Sequence, residues 1–438
     1  MKINKFVLIQ IAEESFDEAL FIPRLIEQLP ANSQVYCLSN SISSAFISSI
    51  TGLRVSMMTE NQENNLHDFS TIVVNDEIDA IIVMDLYKYL VTPKDINFLP
   101  NWLDEFYKPI YALDYFNLLE YREHQLLLKA NIPRAYAEGE EPEPLTISPI
   151  LLKPFPPNYP LDLSGEQEKV VPWNAVDSMF QVRKETVKSQ IRASFQIDEN
   201  EKIVTLLVDP LLFLKSLEIS ALGYYMALIE IIGFYLRQFP ETRFQFLIVG
   251  LFPPQEEMNE IQDLNLKIRY FSHLTADNYL TLIAGSDLLL THTTRSPLLL
   301  DAMVAETPCL VLGNSVIQEL LEDQTRELKS FFSPHPFLYD MVHLMMNLNQ
   351  WTSYLPIFQF TDYPIPYKEL DFPEPGMKFQ GLIYHFADVF DDLTTVPIFE
   401  NLLFNPEYMN NFNEQVKLAL KRHESFFLSQ IIARNAEA

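Results

Sequence analysis

The chain has 438 residues, of which 59 are acidic and 31 are basic, so its net charge at pH 7 is −28. Nucleic acids and anionic membrane surfaces attract proteins that carry a positive field, so this charge argues against both as partners. The apolar fraction of 48% is enough for buried cores, and the length allows two large domains or about three of ordinary size.

The glycine content excludes two classes of nucleotide-binding protein. A chain of this length would contain about 30 glycines at average usage, and this one contains 10. Neither GxGxxG nor GxxxxGK[ST] occurs. A dinucleotide-binding Rossmann enzyme and a P-loop NTPase are therefore not expected.

The location is predicted to be the cytoplasm. The first residues contain two lysines and an apolar run and then meet acids, with no small-residue cleavage site, which is typical of a first strand and not of a signal peptide. No uncharged apolar run reaches 18 residues, so no transmembrane helix is expected. Cys37 and Cys309 lie in apolar strand patterns and are expected to be buried free thiols. No Cys/His cluster has the spacing of a metal site.

The first part of the chain alternates predicted strands and helices, which indicates a doubly wound domain. The predicted strands are Phe6–Ile11, Ser33–Leu38, Val55–Met58, Ala80–Met84 and Pro109–Leu113. The predicted helices are Ser15–Leu29, Ser41–Ile50 and Trp102–Tyr107. Residues 131–175 are rich in proline and acids, and are interpreted as a surface excursion, as the linker into a second domain, or as both.

A second run of the same kind follows. Helices are predicted over Ser178–Phe195 and Ile219–Phe239, and strands over Phe244–Val249, Ile268–Phe271, 286–290 and 308–312. The remaining segment contains helical patterns at Leu382–Phe390 and Asn413–Ala433. The predicted division is an N-terminal Rossmann-like domain at 1–150, a linker and first helix at 151–200, a second domain at 201–380 and C-terminal helices at 381–438.

Residues 271–313 carry the most specific pattern. A short strand is followed by a run of hydroxyl side chains, Thr291 to Ser296, then by a helix with one carboxylate, Asp301, and by a buried strand. A doubly wound domain binds phosphate at such a turn, because free backbone N–H groups and the helix dipole point at the anion. A carboxylate one to two turns into the helix can accept hydrogen bonds from ribose hydroxyls.

This pattern resembles the donor-sugar motif of GT-B glycosyltransferases. Gly285-Ser286-Asp287-Leu288 is similar to its first part, and Pro297-Leu298-Leu299-Leu300-Asp301-Ala302-Met303 with Thr307-Pro308 is similar to the rest. The resemblance implies two Rossmann-like domains that face each other across a cleft, with the acceptor on the first and a nucleotide-diphosphate sugar on the second. It also implies that Asp301 binds ribose and that Thr293, Thr294 and Ser296 bind the diphosphate.

Several residues depart from the family's pattern and keep other functions open. Glu306 replaces a glycine, Thr293 stands where many retaining members have an acid, and the hydroxyl run contains no glycine. These departures favour a non-catalytic subunit of the same fold that binds a partner protein. A nucleotide-sugar epimerase is a further alternative, and an ordinary βαβ unit without a nucleotide would explain the same pattern.

Catalytic candidates are acids near the ends of the first domain's strands, where an acceptor hydroxyl could lose its proton. Glu13 and Asp17 follow the first strand, whereas Asp85 and Asp114 end later strands. An acid at the start of a helix is also a common cap without catalytic function.

Nucleotide-binding candidates on the second domain include four basic side chains. His273 precedes a helix similar to the segment that contacts the base in the family. A partly exposed loop histidine without a ligand is an equally good interpretation of this residue. His292 either contacts phosphate or packs on the sheet. Arg295, His292 and Lys215 are the cations nearest the predicted diphosphate site. No cofactor is expected besides the nucleotide sugar, which is a co-substrate, and the acceptor stays unknown.

Overall fold

The structure is a computed structural model. It describes residues 4–12, 16–91, 96–115, 118–128, 145–155, 169–175, 178–208, 222–250, 261–262, 265–271, 275–291, 297–313, 336–338, 378–379, 382–421 and 426–437.

The first domain is built on a seven-stranded sheet in which every neighbouring pair is parallel. Its strands are β1 (Lys5–Ile9), β2 (Gln34–Ser39), β3 (Leu53–Met57), β4 (Ala80–Val83), β5 (Ile110–Leu113), β8 (Ile150–Phe155) and β9 (Val170–Asn174). The order β3-β2-β1-β4-β5-β8-β9 places a switch in winding direction between β1 and β4. Strands β6 (Leu119–Arg122) and β7 (Gln125–Leu128) form a separate hairpin.

Helices lie between the strands of this sheet along the chain. They are a 3-10 helix (Asp17–Phe21), α1 (Ile22–Gln28), α2 (Ser41–Ile47), α3 (Gln62–Asn75), α4 (Leu86–Val91) and a second 3-10 helix (Pro100–Phe106). Asn40 begins α2 by accepting a hydrogen bond from the backbone N–H of Ser43 at 2.8 Å, as an N-cap does. Asn61 caps α3 in the same way through the N–H of Asn64.

The second domain repeats this design. Its strands are β10 (Lys202–Leu207), β11 (Phe244–Val249), β12 (Ile261–Gln262), β13 (Leu266–Phe271), β14 (Leu288–Thr291), β15 (Cys309–Gly313) and β18 (His385–Asp388). They lie in the order β12-β13-β11-β10-β14-β15-β18, and only β12 is antiparallel to its neighbour. The switch point lies between β10 and β14. A short hairpin pairs β16 (Lys378–Phe379) with β17 (Leu382–Ile383).

Helices of the second half flank this sheet and form the tail. They are α5 (Ser178–Phe195), α6 (Leu222–Arg237), α7 (Ala276–Gly285), α8 (Pro297–Val304), α9 (Asp392–Phe404), α10 (Pro406–Lys421) and α11 (Leu428–Glu437). The tail reaches the first domain, since Gln28 Oε1 accepts hydrogen bonds from Trp173 Nε1 at 2.7 Å and from the N–H of Leu428 at 3.1 Å. Within the described ranges, no helix is long and apolar enough to cross a membrane.

The predicted fold class, two doubly wound α/β domains with a helical tail, is confirmed. The helix predicted over Leu382–Phe390 is wrong, because β17 and β18 occupy it and β18 completes the second sheet against β15. Residues 150–155 and 170–174 lie in the segment predicted as linker, yet they form β8 and β9 of the first sheet. The pattern over Asn413–Ala433 spans parts of two helices, α10 and α11.

Candidate functional site

The carboxyl ends of the two sheets face each other. The 3-10 helix Asp17–Phe21, which follows β1, packs on α8, which follows β14. Phe46 of α2 makes an edge-on ring contact with Tyr279 in the first turn of α7, with centroids 5.8 Å apart. Ligands of doubly wound domains bind at this end of the strands, so the junction between the domains is the candidate site.

An ion pair between the domains occupies the junction. Arg24 of α1 places Nη2 against Oδ1 of Asp301 in α8, and each side chain is only 3% exposed. The Arg24 guanidinium also lies over the Phe21 ring, 5.5 Å from its centroid. Asp301 therefore projects from the second domain towards the first, and its role in binding ribose stays a prediction.

Asp85 lies at the switch point of the first sheet. Both of its carboxylate oxygens accept backbone hydrogen bonds from the segment after β1, from Ile11 at 2.8 Å and from Ala12 at 3.0 Å. The side chain is fully buried. Asp85 thus fixes the path of the chain leaving β1, and its part in catalysis stays a prediction.

Glu18 is a buried acid that sequence reasoning missed. It is 1% exposed, and the hydroxyl of Tyr87 donates a hydrogen bond to Glu18 Oε1. Burial raises the pKa of Glu18 to about 7, with Lys88 opposing the increase and Asp85 adding to it. A carboxyl group that titrates near neutral pH can exchange protons with a substrate. No local signal separates Glu18 from Asp17, because both resemble acids at the start of a helix.

Asp17 and Asp114 lie in different surroundings. Asp17 is buried beside Glu18, at the start of the 3-10 helix that contacts α8. Asp114 follows β5, pairs with Lys153 at 3.0 Å and accepts hydrogen bonds from the backbone of Leu118 and Leu119. The structure therefore brings Asp17, Asp85 and Asp301 towards the junction, whereas Asp114 belongs to a separate cluster.

The remaining predicted site residues lie outside the described ranges. They are Glu13, Lys215, His273, His292, Thr293, Thr294, Arg295 and Ser296. Their roles stay predictions. The described chain ends at Thr291 in β14 and resumes at Pro297 in α8, so the hydroxyl run joins these two elements.

The first part of the motif has a packing role. Asp287 accepts from Lys188 and Arg192 of α5, both at 3.1 Å, and from the backbone N–H of Ile203 at 2.9 Å. A Cβ atom on Gly285 would lie 2.4 Å from Ile191 Cδ1, so glycine allows α5 and α7 to approach. A cavity of about 420 Å³ lies beside Lys188 and Asp287. It opens at the amino ends of β10, β14 and β15, on the side of the sheet that is opposite to the junction.

Comparisons with known proteins find one family and several solved structures. The family described as "Family of unknown function (DUF6365)" matches residues 25–360. No curated protein matches the chain. Among solved structures, the chain is similar to spinosyn forosaminyltransferase SpnP, with 10% identity and a TM-score of 0.48 over 98% of each chain.

Two further solved structures are similar to the chain. Anabaena Alr3699/HepE, solved in complex with UDP-glucose, is 11% identical with a TM-score of 0.48 over 99% of each chain. The UDP-GlcNAc 2-epimerase from Methanocaldococcus jannaschii is 12% identical with a TM-score of 0.41, over 78% of this chain and 93% of the epimerase. The solved neighbours thus include both a glycosyltransferase and a nucleotide-sugar epimerase.

Proposed function

We propose that the chain, which belongs to the DUF6365 family, is a glycosyltransferase that uses a nucleotide-diphosphate sugar as donor. The observation that carries the proposal is the position of Asp301, a carboxylate from the second domain that reaches the first domain where the carboxyl ends of both sheets meet. A donor bound there would touch the second domain with its nucleotide and the first domain with its sugar.

The chemistry assigns different roles to the two domains. In the transfer, the bond between the sugar C1 and the diphosphate oxygen breaks, a bond between C1 and the acceptor oxygen forms, and the acceptor hydroxyl loses its proton. The 292–296 run and the start of α8 would stabilise the departing diphosphate. Asp17 and Glu13 are the proposed bases, and Glu18 joins them because its pKa lies near 7.

A cytoplasmic location is part of the proposal. Cys37 and Cys309 are both buried and free, which is typical of proteins kept in a reducing compartment.

Nucleotide binding gives the test. We expect a higher melting temperature with one member of the panel UDP, GDP, dTDP and their sugar conjugates, since ligand at a hundred times its dissociation constant adds about 2.7 kcal/mol of stability. The shift should disappear in Asp301→Asn. It should persist in Asp287→Asn, a matched control, because Asp287 is an ion-paired acid of the same domain at the opposite edge of the sheet. Release of free sugar from the conjugate would then report the catalytic step.

A second candidate is a non-catalytic subunit of the same fold. The observation in its favour is that Arg24 and Asp301 are paired and almost completely buried, as in a permanently closed domain interface. This candidate predicts no melting shift with any nucleotide and a stable complex with another protein. A clear nucleotide shift that Asp301→Asn removes would contradict it.

A further inference from the structure

A cavity in the second domain lies apart from the proposed nucleotide site. It has a volume of about 420 Å³, and it lies between the amino ends of β10, β14 and β15 and the corner that joins α9 to α10. Sites for small molecules have volumes of about 300–1,000 Å³ and combine a mainly apolar lining with a few charged or polar groups. The two walls of this cavity divide these properties between them.

The wall that belongs to the tail is apolar. Five residues from the last turn of α9 and the first turn of α10 line it: Leu402, Leu403, Phe404, Pro406 and Met409. Asn405 stands at the corner and begins α10 by accepting a hydrogen bond from the backbone N–H of Tyr408 at 3.0 Å. This cap fixes the corner, so the apolar wall is formed before any ligand arrives.

The wall that belongs to the sheet carries an excess of positive charge. Lys188 and Arg192 each donate a hydrogen bond to Asp287 at 3.1 Å, and Lys202 approaches the same carboxylate to 4.0 Å. Three cations thus surround one acid, in a chain whose net charge is −28. Two of these cations, Lys188 and Lys202, line the cavity itself. This wall therefore suits an anion.

Lys202 is the cation with most capacity for a ligand. Its distance of 4.0 Å to Asp287 is too long for a hydrogen bond, and its side chain is 33% exposed. Lys188 and Lys202 approach the same atom, Oδ1 of Asp287, so their ammonium groups lie close together. Each ammonium has three donors, and one carboxylate that also accepts from Arg192 and from the backbone of Ile203 cannot satisfy them all.

Glu306 adds the second acid of the cavity. It lines the cavity from the turn between α8 and β15 and approaches Lys417 to 4.0 Å. Its φ of 51° is in the left-handed region, where a glutamate is strained and a glycine is not. The Glu306 carboxylate lowers the affinity of the cavity for an anion, so replacing it with glycine gives a variant in which this affinity should rise.

We propose that this cavity binds a small amphipathic anion, which is a carboxylate or phosphate group attached to an apolar body. The anionic group lies against Lys188 and Lys202, and the apolar body lies against Leu402, Phe404 and Met409. The cavity is at the end of the second sheet that is opposite to the junction. The inference therefore goes beyond the proposed function and does not depend on it.

The test uses octanoate and octyl phosphate as probes in calorimetric titrations of the full chain, below the concentrations at which they form micelles. We expect binding, and the stronger probe identifies the anionic group. Acetate and inorganic phosphate lack the apolar body and 1-octanol lacks the charge, so each should bind at least about tenfold more weakly. Shortening the chain by two CH₂ groups should weaken binding by about tenfold, because each buried CH₂ contributes about fourfold.

Three variants locate the bound probe. Lys202→Met should weaken binding by about tenfold, since it removes a charged hydrogen-bond donor. Lys5→Met is the matched control, because Lys5 is also one-third exposed and 4.0 Å from its acid partner, Glu77, but lies in the first domain. It should leave the affinity unchanged. Glu306→Gly should raise the affinity several-fold, because it removes a negative charge from the cavity.

The outcomes separate this inference from the proposed function. Failure of both probes to bind overturns the inference, as does equal affinity for 1-octanol, equal binding by Lys202→Met and Lys5→Met, or weaker binding by Glu306→Gly. If Lys202→Met does not fold, Glu306→Gly decides the question. Displacement of the probe by a nucleotide would place the probe at the junction and also overturns the inference. Probe binding without any nucleotide binding supports the inference and overturns only the proposed function.

Discussion

Removing one partner of the Arg24–Asp301 pair should strongly destabilise the protein. Both side chains are 3% exposed, so either single substitution leaves the other charge buried without compensation. Breaking a buried pair in this way costs about 3–5 kcal/mol of unfolding free energy. We expect Asp301→Ala and Arg24→Met each to show a loss of this size in urea unfolding followed by circular dichroism.

The double variant Arg24→Met/Asp301→Leu should behave differently. Replacing both charges with apolar side chains of similar volume is often neutral or stabilising, because neither charge then has to be desolvated. We expect most of the lost stability to return. Since the pair joins two domains, the single variants should also broaden the transition or split it in two.

An exposed ion pair provides the control. Lys5 and Glu77 approach to 4.0 Å with their side chains 34% and 86% exposed, so Lys5→Met should cost less than about 1 kcal/mol. A loss in Asp301→Ala no larger than that in Lys5→Met would refute the reasoning. The double variant also separates two roles of Asp301, because a stable protein that no longer binds nucleotide would have lost a ligand group and not its fold.

Three further substitutions test other parts of the structure. The pKa of Glu18 is about 7 in the fold, against an ordinary value of 4.5, so stability should fall as pH rises from about 4.5 to 7. Glu18→Gln should remove about 3 kcal/mol of that decline in urea unfolding. An unchanged decline would contradict this. Burial lowers the pKa of His385 to about 4, so the free energy of unfolding should fall as pH decreases from about 6.5 to 4. His385→Gln should reduce this loss of stability at acid pH. An unchanged loss in the variant would argue against the burial effect. Gly250 has φ +93°, and a Cβ atom at this position would lie 2.2 Å from the Val208 carbonyl oxygen. Gly250→Ala should therefore lower the free energy of unfolding by more than the roughly 1–2 kcal/mol of left-handed strain alone. Gly52→Ala, at φ +84° with open space around it, measures that strain without a clash, and equal losses of stability in the two variants would exclude the clash.

The sequence predicted most of the parallel strands because each is a short, continuous apolar run that both faces of a parallel sheet can bury. The strands β8 and β9 were not predicted, because Pro154 and Pro172 lie within them. Proline is tolerated near the edge of a sheet, and β9 is the edge strand. The run at Leu382–Phe390 was ambiguous for another reason, because a short apolar segment fits a buried helix and a buried strand equally well.

The candidate site was predictable only in part. The order of strand, hydroxyl run and helix located Asp301 on α8, but all eight residues of α8 are buried, so no polar stripe in the sequence indicates what its carboxylate meets. Its partner Arg24 lies in another domain and belongs to no motif. Glu18 was missed because its pKa depends first on burial and then on Lys88, Asp85 and Tyr87, and only the fold buries it among these residues.

The charge of the chain makes the position of Arg24 informative. With a net charge of −28, a diphosphate site needs local positive charge, and the sequence offered Lys215, His292 and Arg295 from the second domain. The structure adds a cation that the first domain supplies to the junction, already ion-paired with the candidate ribose carboxylate. A donor site built this way would need both domains, because Arg24, the group that holds Asp301, belongs to the first domain. Closure of the domains and correct placement of the ribose would then be a single event, which is how a transferase can restrict chemistry to the closed state.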